Sequence, residues 1–192
     1  MRHRTQGEPK PAPFPYKEKR YNFLRAIFDS TPDRLDENSK LIVVEGPTAA
    51  GKGNLAKELA QELDMAYFAA PTQAETYVND YGFNLKTLDV ELPPSAKSYD
   101  EIDFLKNPKL LDGSKAGRFQ LYKMKLRYQR YLDALAHILN SGQGVVMDRS
   151  PYSDFVYMDA MADQGIVSKN SALLLFILFK RWNSFMNLIC TM

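Results

Sequence analysis

A glycine-rich segment between two apolar segments constrains the fold of this chain more than any other feature. Gly46 to Lys52 reads Gly-Pro-Thr-Ala-Ala-Gly-Lys, which matches the pattern G-x-x-x-x-G-K. The preceding run, Leu41 to Glu45, is apolar without alternation, as in a parallel strand buried on both faces. The following residues, 52–63, carry leucines four residues apart, which predicts an amphipathic helix. A glycine turn with an incidental lysine is the alternative, but this context favours a phosphate-binding loop.

The loop predicts phosphate binding without efficient phosphate transfer. Glycines let backbone amides approach phosphate oxygens, the next helix points its positive end at them, and Lys52 adds a cation. The predicted phosphate-binding residues here are Gly46, Ala49, Ala50, Gly51, Lys52 and Gly53. Gly53 stands where the motif requires Ser or Thr, whose hydroxyl coordinates Mg²⁺. We therefore predict no metal site at the loop.

The remaining pattern predicts an α/β fold with a parallel sheet. Strands are predicted at Met65–Phe68 and Val145–Met147, and helices at Arg118–Asn140 and Tyr152–Ala162. The long helix has an apolar stripe of Leu121, Met124, Tyr128, Leu132, Leu135 and Leu139. Prolines interrupt residues 77–115, where we expect loops and short helices.

The composition limits which partners and cofactors we expect this chain to bind. A net charge of +2 in 192 residues gives no reason to expect nucleic acid as a partner. His3 and His137 lack the spacing of a metal site, and the single Cys190 cannot form an internal disulfide. The longest apolar run, Ala172 to Phe179, is too short to cross a membrane.

A second polar cluster follows the third predicted strand. Asp148 to Asp154 reads Asp-Arg-Ser-Pro-Tyr-Ser-Asp and lies at the edge where α/β sheets bind ligands. Alone, a strand exit with a surface ion pair would explain it equally well. Together with Glu45 to Lys52 and with Phe119-Gln120 followed seven residues later by Arg127, it resembles the deoxyribonucleoside kinase family.

The resemblance implies a nucleoside-kinase-like three-layer fold and a set of ligand contacts. It implies that Gln120, Arg127 and Asp154 contact the nucleobase, and that Arg149 lies near the 5′ oxygen and the phosphates. An amide and an Arg–Asp pair can read base edges, and a guanidinium suits phosphate oxygens. The implied cofactor is a bound nucleotide, ATP or a deoxynucleotide, or FAD.

The chain also departs from the family. A Glu-Pro after the second strand supplies the family's catalytic base, whereas this chain has Ala70-Pro71, so we expect no catalytic residue there. Asp148 could substitute in principle. We find neither the family's arginine-rich lid nor its last two strands, so we expect a fold that is incomplete at the C-terminus, with the loop strand at an edge of the sheet.

These losses and a proline-rich N-terminal segment resemble a non-catalytic branch of the family. Members of that branch are accessory subunits of mitochondrial respiratory complex I, peripheral to the matrix side of the inner membrane. The resemblance implies those partners and that location. An active mitochondrial deoxynucleoside kinase that uses ATP is the alternative. A generic P-loop ATPase is a weaker third interpretation, because no other acid follows an apolar strand.

Three regions are predicted along the chain. Residues 1–39 form an extended arm with a docking helix at Tyr21 to Phe28, and residues 40–170 form the kinase-like domain. Residues 171–192 form an apolar tail that does not resemble the family.

Overall fold

The computed structural model describes residues 35–72, 75, 77–79, 81–94, 96–99, 101–106, 114–170, 172–174 and 176–177. The described residues fall into two compact units. The first contains residues from 35 to 70 and from 127 to 150, and the second contains residues from 71 to 126 and from 151 to 177. The predicted docking helix at Tyr21 to Phe28 and Cys190 lie outside the described residues.

The first unit is built on a parallel sheet of three strands, as predicted. The strands are β1 (Leu41–Val44), β2 (Ala66–Phe68) and β3 (Val145–Asp148), in the order β1-β3-β2. Leu41 and Ala66 both pair with Val145, so the strands end at a common edge. Among the described strands, β1 pairs with β3 alone and so lies at an edge of the sheet.

Helices cover both faces of this sheet and complete the predicted three layers. Helix α1 (Lys52–Glu62) follows β1, and the long α3 (Ser114–Ser141) precedes β3. Ala56 and Ala60 of α1 pack with Val146 and the side chains that share its face of the sheet. On the other face, Val145 and Met147 pack with the part of α3 in this unit, through Ala134 and Ile138. Successive side chains along a strand point to opposite faces of the sheet, so the apolar residues of each strand are divided between the α1 side and the α3 side.

The apolar stripes that predicted these helices face the core only in part: Met124 of α3 is buried, and Leu59 of α1 packs against the cluster around Val146. Leu55 of α1 and Leu63, the residue after α1, are exposed, as are Leu121 and Leu139 of α3. The buried positions adjoin them: Ala56 and Ala60 in α1, and Ala134 and Ile138 in α3. Small side chains let a helix approach a sheet closely, which displaces the larger leucines to the flanks. The helices were predicted correctly, but part of each buried face lies about one residue, roughly 100°, around the helix from the exposed leucines.

A hydrogen-bonded connector leads into β1. The Asp36 amide donates to Ser39 Oγ at 2.9 Å, and the Asn38 amide donates to Asp36 Oδ1 at 2.7 Å. The Ser39 hydroxyl donates to the Gly142 carbonyl in the turn before β3. The connector is therefore fixed to the edge of the sheet at which the strands begin.

The second unit is helical. It contains a 3-10 helix (Leu85–Val90), α2 (Glu101–Lys106), the residues of α3 up to 126, and α4 (Tyr152–Asp163). Its buried core consists of Ala116, Met124, Met158, Met161, Ile166 and Val167, with Ala172 packed against it. The described residues of the proline-interrupted segment form short helices and turns, as predicted.

No helix in the described part of the chain is both long and apolar enough to cross a membrane. The predicted division into residues 1–39, 40–170 and 171–192 stays a prediction, since residues 1–34 and 178–192 lie outside the described ranges.

Candidate phosphate-binding site

The glycine-rich loop connects the end of β1 to the start of α1. Gly51 has φ of 75° and precedes the first residue of the helix, a left-handed conformation that suits glycine. Ala49 has φ of 64°, which costs a side-chain-bearing residue energy and marks a constrained turn. Ala50 lies between them and is exposed. The sequence between β1 and α1 therefore folds into a tight turn.

Two cations lie on this loop. Lys52 Nζ donates to the Pro47 carbonyl at 2.6 Å. Arg149 Nη2 lies 3.3 Å from both the Gly46 carbonyl and Thr48 Oγ1. A Cβ added at Gly46 would come within 3.3 Å of the Lys52 side chain, so glycine makes room for the lysine. The structure thus brings together two positive charges that the sequence places almost a hundred residues apart.

The start of α1 adds a second attraction for anions. Gly51 offers no side chain to cap the first turn, and no acidic residue lies in that turn. The first amides of a helix have no partner within the helix, and the helix dipole is positive at that end. Lys52, Arg149 and this helix end together form a site suited to phosphate groups.

Glu45 fixes the loop to the end of β3. Its Oε1 accepts hydrogen bonds from the Ser150 amide at 2.8 Å and from the Ser150 hydroxyl at 2.5 Å. Ser150 is buried and Arg149 has φ of 64°, so this turn holds the arginine at the loop. The roles of Glu45, Thr48 and Ser150 were not predicted, although all three lie within the two motifs.

Asp148 and Tyr67 lie beside Gly53. A Cβ added at Gly53 would be 3.4 Å from Asp148 Oδ2 and 3.6 Å from the Tyr67 hydroxyl oxygen. Burial raises the pKa of the Tyr67 phenol, and the negative charge of Asp148 raises that pKa further. Tyr67 was not predicted, because a tyrosine within a short strand has no signal beyond the strand itself.

This corner does not match a metal site of the kind that the resemblance would place there. Asp148 Oδ1 is buried and has no hydrogen-bond partner within the described part of the chain. Gly53 contributes no side-chain oxygen beside that carboxylate. Among the described residues, no group of three or more His, Cys, Asp or Glu side chains is placed to hold a metal ion. What the corner lacks is the hydroxyl that the phosphate-loop motif supplies to Mg²⁺ beside this carboxylate.

Ala70 lies two residues after β2, at the same edge of the sheet as the loop. Its methyl group cannot accept a proton. The resemblance places the catalytic carboxylate at this position.

The three residues predicted to contact the nucleobase do not all belong to the same unit. In the second unit, Gln120 Nε2 donates to Asp154 Oδ1 at 2.7 Å, and both residues are buried. Arg127 belongs to the first unit and is also buried. Gln120 and Arg127 are two helical turns apart and share one face of α3. The structure therefore brings Gln120 and Asp154 together.

Comparisons with known proteins agree with this architecture. A family model described as "Deoxynucleoside kinase" matches residues 42–189, which includes most of the segment 171–192 for which we expected no resemblance. The chain is 40% identical over 154 residues to "NADH dehydrogenase [ubiquinone] 1 alpha subcomplex subunit 10, mitochondrial" of Mus musculus. This alignment covers 78% of the chain and 41% of the relative.

Two further relatives widen the comparison. The protein of the same name from Bos taurus is 40% identical over 139 residues, covering 71% of the chain and 38% of the relative. A deoxyguanosine kinase of Dictyostelium discoideum is 28% identical over 166 residues, covering 86% of the chain and 46% of the relative. The chain thus spans less than half the length of these relatives. FAD finds no support in any of these comparisons.

Proposed function

Because the chain belongs to the deoxynucleoside kinase family, we propose that it is an accessory, non-catalytic subunit of mitochondrial respiratory complex I that retains a degenerate kinase fold. One observation carries the non-catalytic part of the proposal. At the edge of the sheet that holds the phosphate loop, residue 53 has no hydroxyl beside Asp148, and residue 70 has no carboxylate. Phosphate transfer needs a neutralising metal and a proton acceptor.

The remaining groups support nucleotide binding as a structural function. Lys52, Arg149 and the start of α1 supply positive charge for phosphates, with Gly46, Ala49, Ala50, Gly51 and Gly53 forming the backbone cradle. Gln120, Arg127 and Asp154 are the groups proposed to contact a nucleobase. The proposed ligand is ATP or a deoxynucleotide, held without turnover.

The proposed location is the matrix side of the inner membrane, in contact with other subunits of complex I. Support comes from the mouse and cow relatives, whose names include NADH dehydrogenase and the mitochondrion. An active deoxynucleoside kinase is the second candidate, because the Dictyostelium relative is named as a kinase and aligns with more of this chain.

A transfer assay separates the two candidates. The full chain is mixed with labelled ATP, Mg²⁺ and each of the four deoxynucleosides, and the monophosphates are measured. We expect no product above background. Turnover at ordinary kinase rates, about 1 s⁻¹ or more, would refute the non-catalytic proposal.

The double variant Gly53→Ser with Ala70→Glu is the matched positive test. It replaces the hydroxyl and the carboxylate while leaving Lys52 and Arg149 unchanged. Product from the double variant but not from the parent chain would support the assignment of these two positions. Migration of the parent chain with the large respiratory assembly on native gels tests the subunit proposal separately.

A further inference from the structure

A cavity in the second unit is separate from the Gln120–Asp154 pair. Its volume is about 190 Å³. The lining residues are Tyr77, Leu85, Ala96, Lys97, Ser98, Tyr99, Arg118, Phe119 and Tyr122. Arg118 and Tyr122 are four residues apart and share one face of α3, whereas Gln120 lies about 200° from Arg118 around the helix. The cavity therefore opens on the face of α3 opposite to Gln120.

Hydrogen bonds and ring contacts fix the walls of this cavity. The Tyr77 hydroxyl accepts from the Tyr99 amide at 2.7 Å and donates to the Tyr99 carbonyl. The Tyr99 and Phe119 rings meet edge to face, with centroids 6.0 Å apart. The Ser98 amide donates to Asp89 Oδ1 at 2.8 Å. Walls fixed in this way reduce the ordering cost of binding.

The chain next to the cavity exposes apolar side chains on an ordered backbone. Between residues 78 and 92 the exposed large apolar residues are Val78, Tyr81, Phe83, Leu85, Leu88, Val90 and Leu92. Asn79 Oδ1 accepts from the Tyr81 and Phe83 amides, so the backbone there is internally bonded. Leu88 lies one 3-10 turn after Leu85, on the same side. Apolar exposure of this extent marks a contact surface.

Three cations among the described residues lie in or beside the cavity. Lys97 and Arg118 line it, and Lys86 Nζ lies 5.0 Å from the centroid of the Tyr77 ring. Two acids among the described residues offset part of this charge. Asp89 accepts from both the amide and the hydroxyl of Ser98. Burial, and then the negative charge of Asp103, raise the pKa of the Tyr99 phenol. A ligand that carries a carboxylate beside an apolar group would match this charge.

The cavity volume favours a protein side chain over a small molecule. Pockets for drug-sized ligands measure roughly 300–1,000 Å³, whereas this cavity has room for one large side chain. Interfaces often place one aromatic or aliphatic anchor in such a pocket, surrounded by contacts that exclude water. The exposed leucines at residues 85 and 88 are placed to make those contacts.

We propose that this cavity docks a segment of a neighbouring protein subunit, which inserts one bulky apolar side chain and places a carboxylate against Lys97. The inference rests on the proposed function, since it requires that the chain works within an assembly. It specifies the chemistry of the partner segment, and it locates a contact surface on the described residues that line and adjoin the cavity.

Substitution of Ala96 tests the docking in mitochondria. Ala96 is exposed, so Ala96→Phe fills the cavity without entering the core. Ala160→Phe makes the same change at an exposed position of α4. On native gels of mitochondrial membranes, we expect the full chain and Ala160→Phe to migrate with the large assembly. We expect Ala96→Phe to lose most of that signal, because the filled cavity can no longer accept the anchoring side chain.

The outcomes separate the two proposals. Equal migration of Ala96→Phe and the parent chain would overturn the docking inference alone. Failure of the parent chain to migrate with the assembly would overturn the proposed function, and the direct binding measurement then decides the inference.

That measurement uses labelled peptides and the purified full chain. Three peptides carry Phe-Glu, Ala-Glu or Phe-Lys at the centre of the same Gly-Ser sequence, and fluorescence anisotropy reports binding. We expect Phe-Glu to bind at least tenfold more tightly than the other two. Lys97→Glu should reverse the preference between Phe-Glu and Phe-Lys, whereas Lys57→Glu, at an exposed site on α1, should not.

Two results of this measurement would overturn the inference. One is equal binding of all three peptides by a chain whose circular dichroism shows it to be folded. The other is binding of N-acetylphenylalanine amide as tight as that of the Phe-Glu peptide, which would identify a pocket for small molecules.

Discussion

Asp148 Oδ2 would lie 3.4 Å from the first side-chain atom of any residue that replaced Gly53. The distance is an ordinary van der Waals contact, so a small side chain fits without displacing the carboxylate. Gly53 has no positive φ that would disfavour a substitution. Residue 53 therefore lacks a hydroxyl because the sequence has glycine there, and not because the site has no room for a side chain.

Gly53→Ser is expected to make nucleotide binding dependent on Mg²⁺. The serine hydroxyl, Asp148 and phosphate oxygens would supply the oxygen ligands that this ion prefers. We expect ATP to bind the variant about tenfold more tightly with Mg²⁺ than with EDTA, and the parent chain to show little difference. Titration calorimetry measures both affinities.

Gly53→Ala is the control for that substitution. Both variants remove a helical glycine, which stabilises a helix by about 0.5–1 kcal/mol, but only serine adds an oxygen. Equal Mg²⁺ dependence in the two variants would contradict the explanation.

Removal of either cation at the loop is expected to weaken triphosphate binding. Hydrogen bonds to charged groups contribute about 1.5–3 kcal/mol, so Lys52→Gln and Arg149→Gln should each lower ATP affinity about 10- to 100-fold. Lys57→Gln removes an exposed charge from the same helix as Lys52 and should change affinity less than twofold. A fluorescent ATP analogue measures the affinities. A similar loss in all three variants would show a general charge effect instead of a local site.

Tyr67 is expected to make the first unit sensitive to alkaline pH. Its pKa is raised, first by burial and then by Asp148, so the folded state holds the phenolic proton more tightly than the unfolded state. This contribution to stability is complete below the unfolded pKa of about 10 and is lost as pH rises through the higher folded value. The free energy of unfolding, from urea titrations between pH 8 and 11.5, should fall more steeply in the parent chain than in Tyr67→Phe. Asp148→Asn keeps the burial and should give an intermediate slope; parallel curves would refute the assignment.

Gln120→Leu is expected to destabilise the second unit by about 1–3 kcal/mol, since it removes the amide that donates to buried Asp154. Urea unfolding followed by circular dichroism measures the change. Gln61→Leu, at an exposed position, is the matched control and should stay within about 0.5 kcal/mol. A loss no larger than that of the control would show that the pair contributes little.

Replacing each of two glycines with alanine should change the stability of the chain in opposite directions. A Cβ at Gly144 would overlap the Asn38 carbonyl oxygen and lie 2.8 Å from Met65 Cε, so Gly144→Ala should cost about 1–3 kcal/mol. A Cβ at Gly117, within α3, would make an ordinary 3.6 Å contact with Val167. Gly117→Ala should therefore stabilise the chain by about 0.5–1 kcal/mol. Thermal unfolding measures both, and the same sign in both variants would contradict the packing described.

The sequence predicted which segments form helices and strands better than it predicted which of their side chains are buried. Leu41–Val44 and Val145–Asp148 are strands because their continuous apolar runs have few alternatives, and the loop after the first leads directly into a helix. The faces depend on how closely helix and sheet approach, a property of the whole layer. That is why Ala56 is buried while its neighbour Leu55 is exposed.

The candidate site was predictable where one segment carries the signal. Lys52 follows from a local motif, and Arg149 follows from the resemblance. The bonds from Ser150 to Glu45, and the position of Tyr67 beside Asp148, depend on strand order and register. Neither is encoded in the spacing of any single segment, so only the folded sheet shows them.

The connector at residues 36–40 enters the sheet at the end of β1 farthest from Gly46. Four strand residues, about 13 Å at 3.3 Å each, separate its bonds to Gly142 from the loop. A pull on the chain before residue 36 would act along β1 and be resisted in shear by the ladder with β3. Tethering the protein through residue 36, to a bead or a surface, would thus apply force at the end of the sheet opposite the phosphate loop.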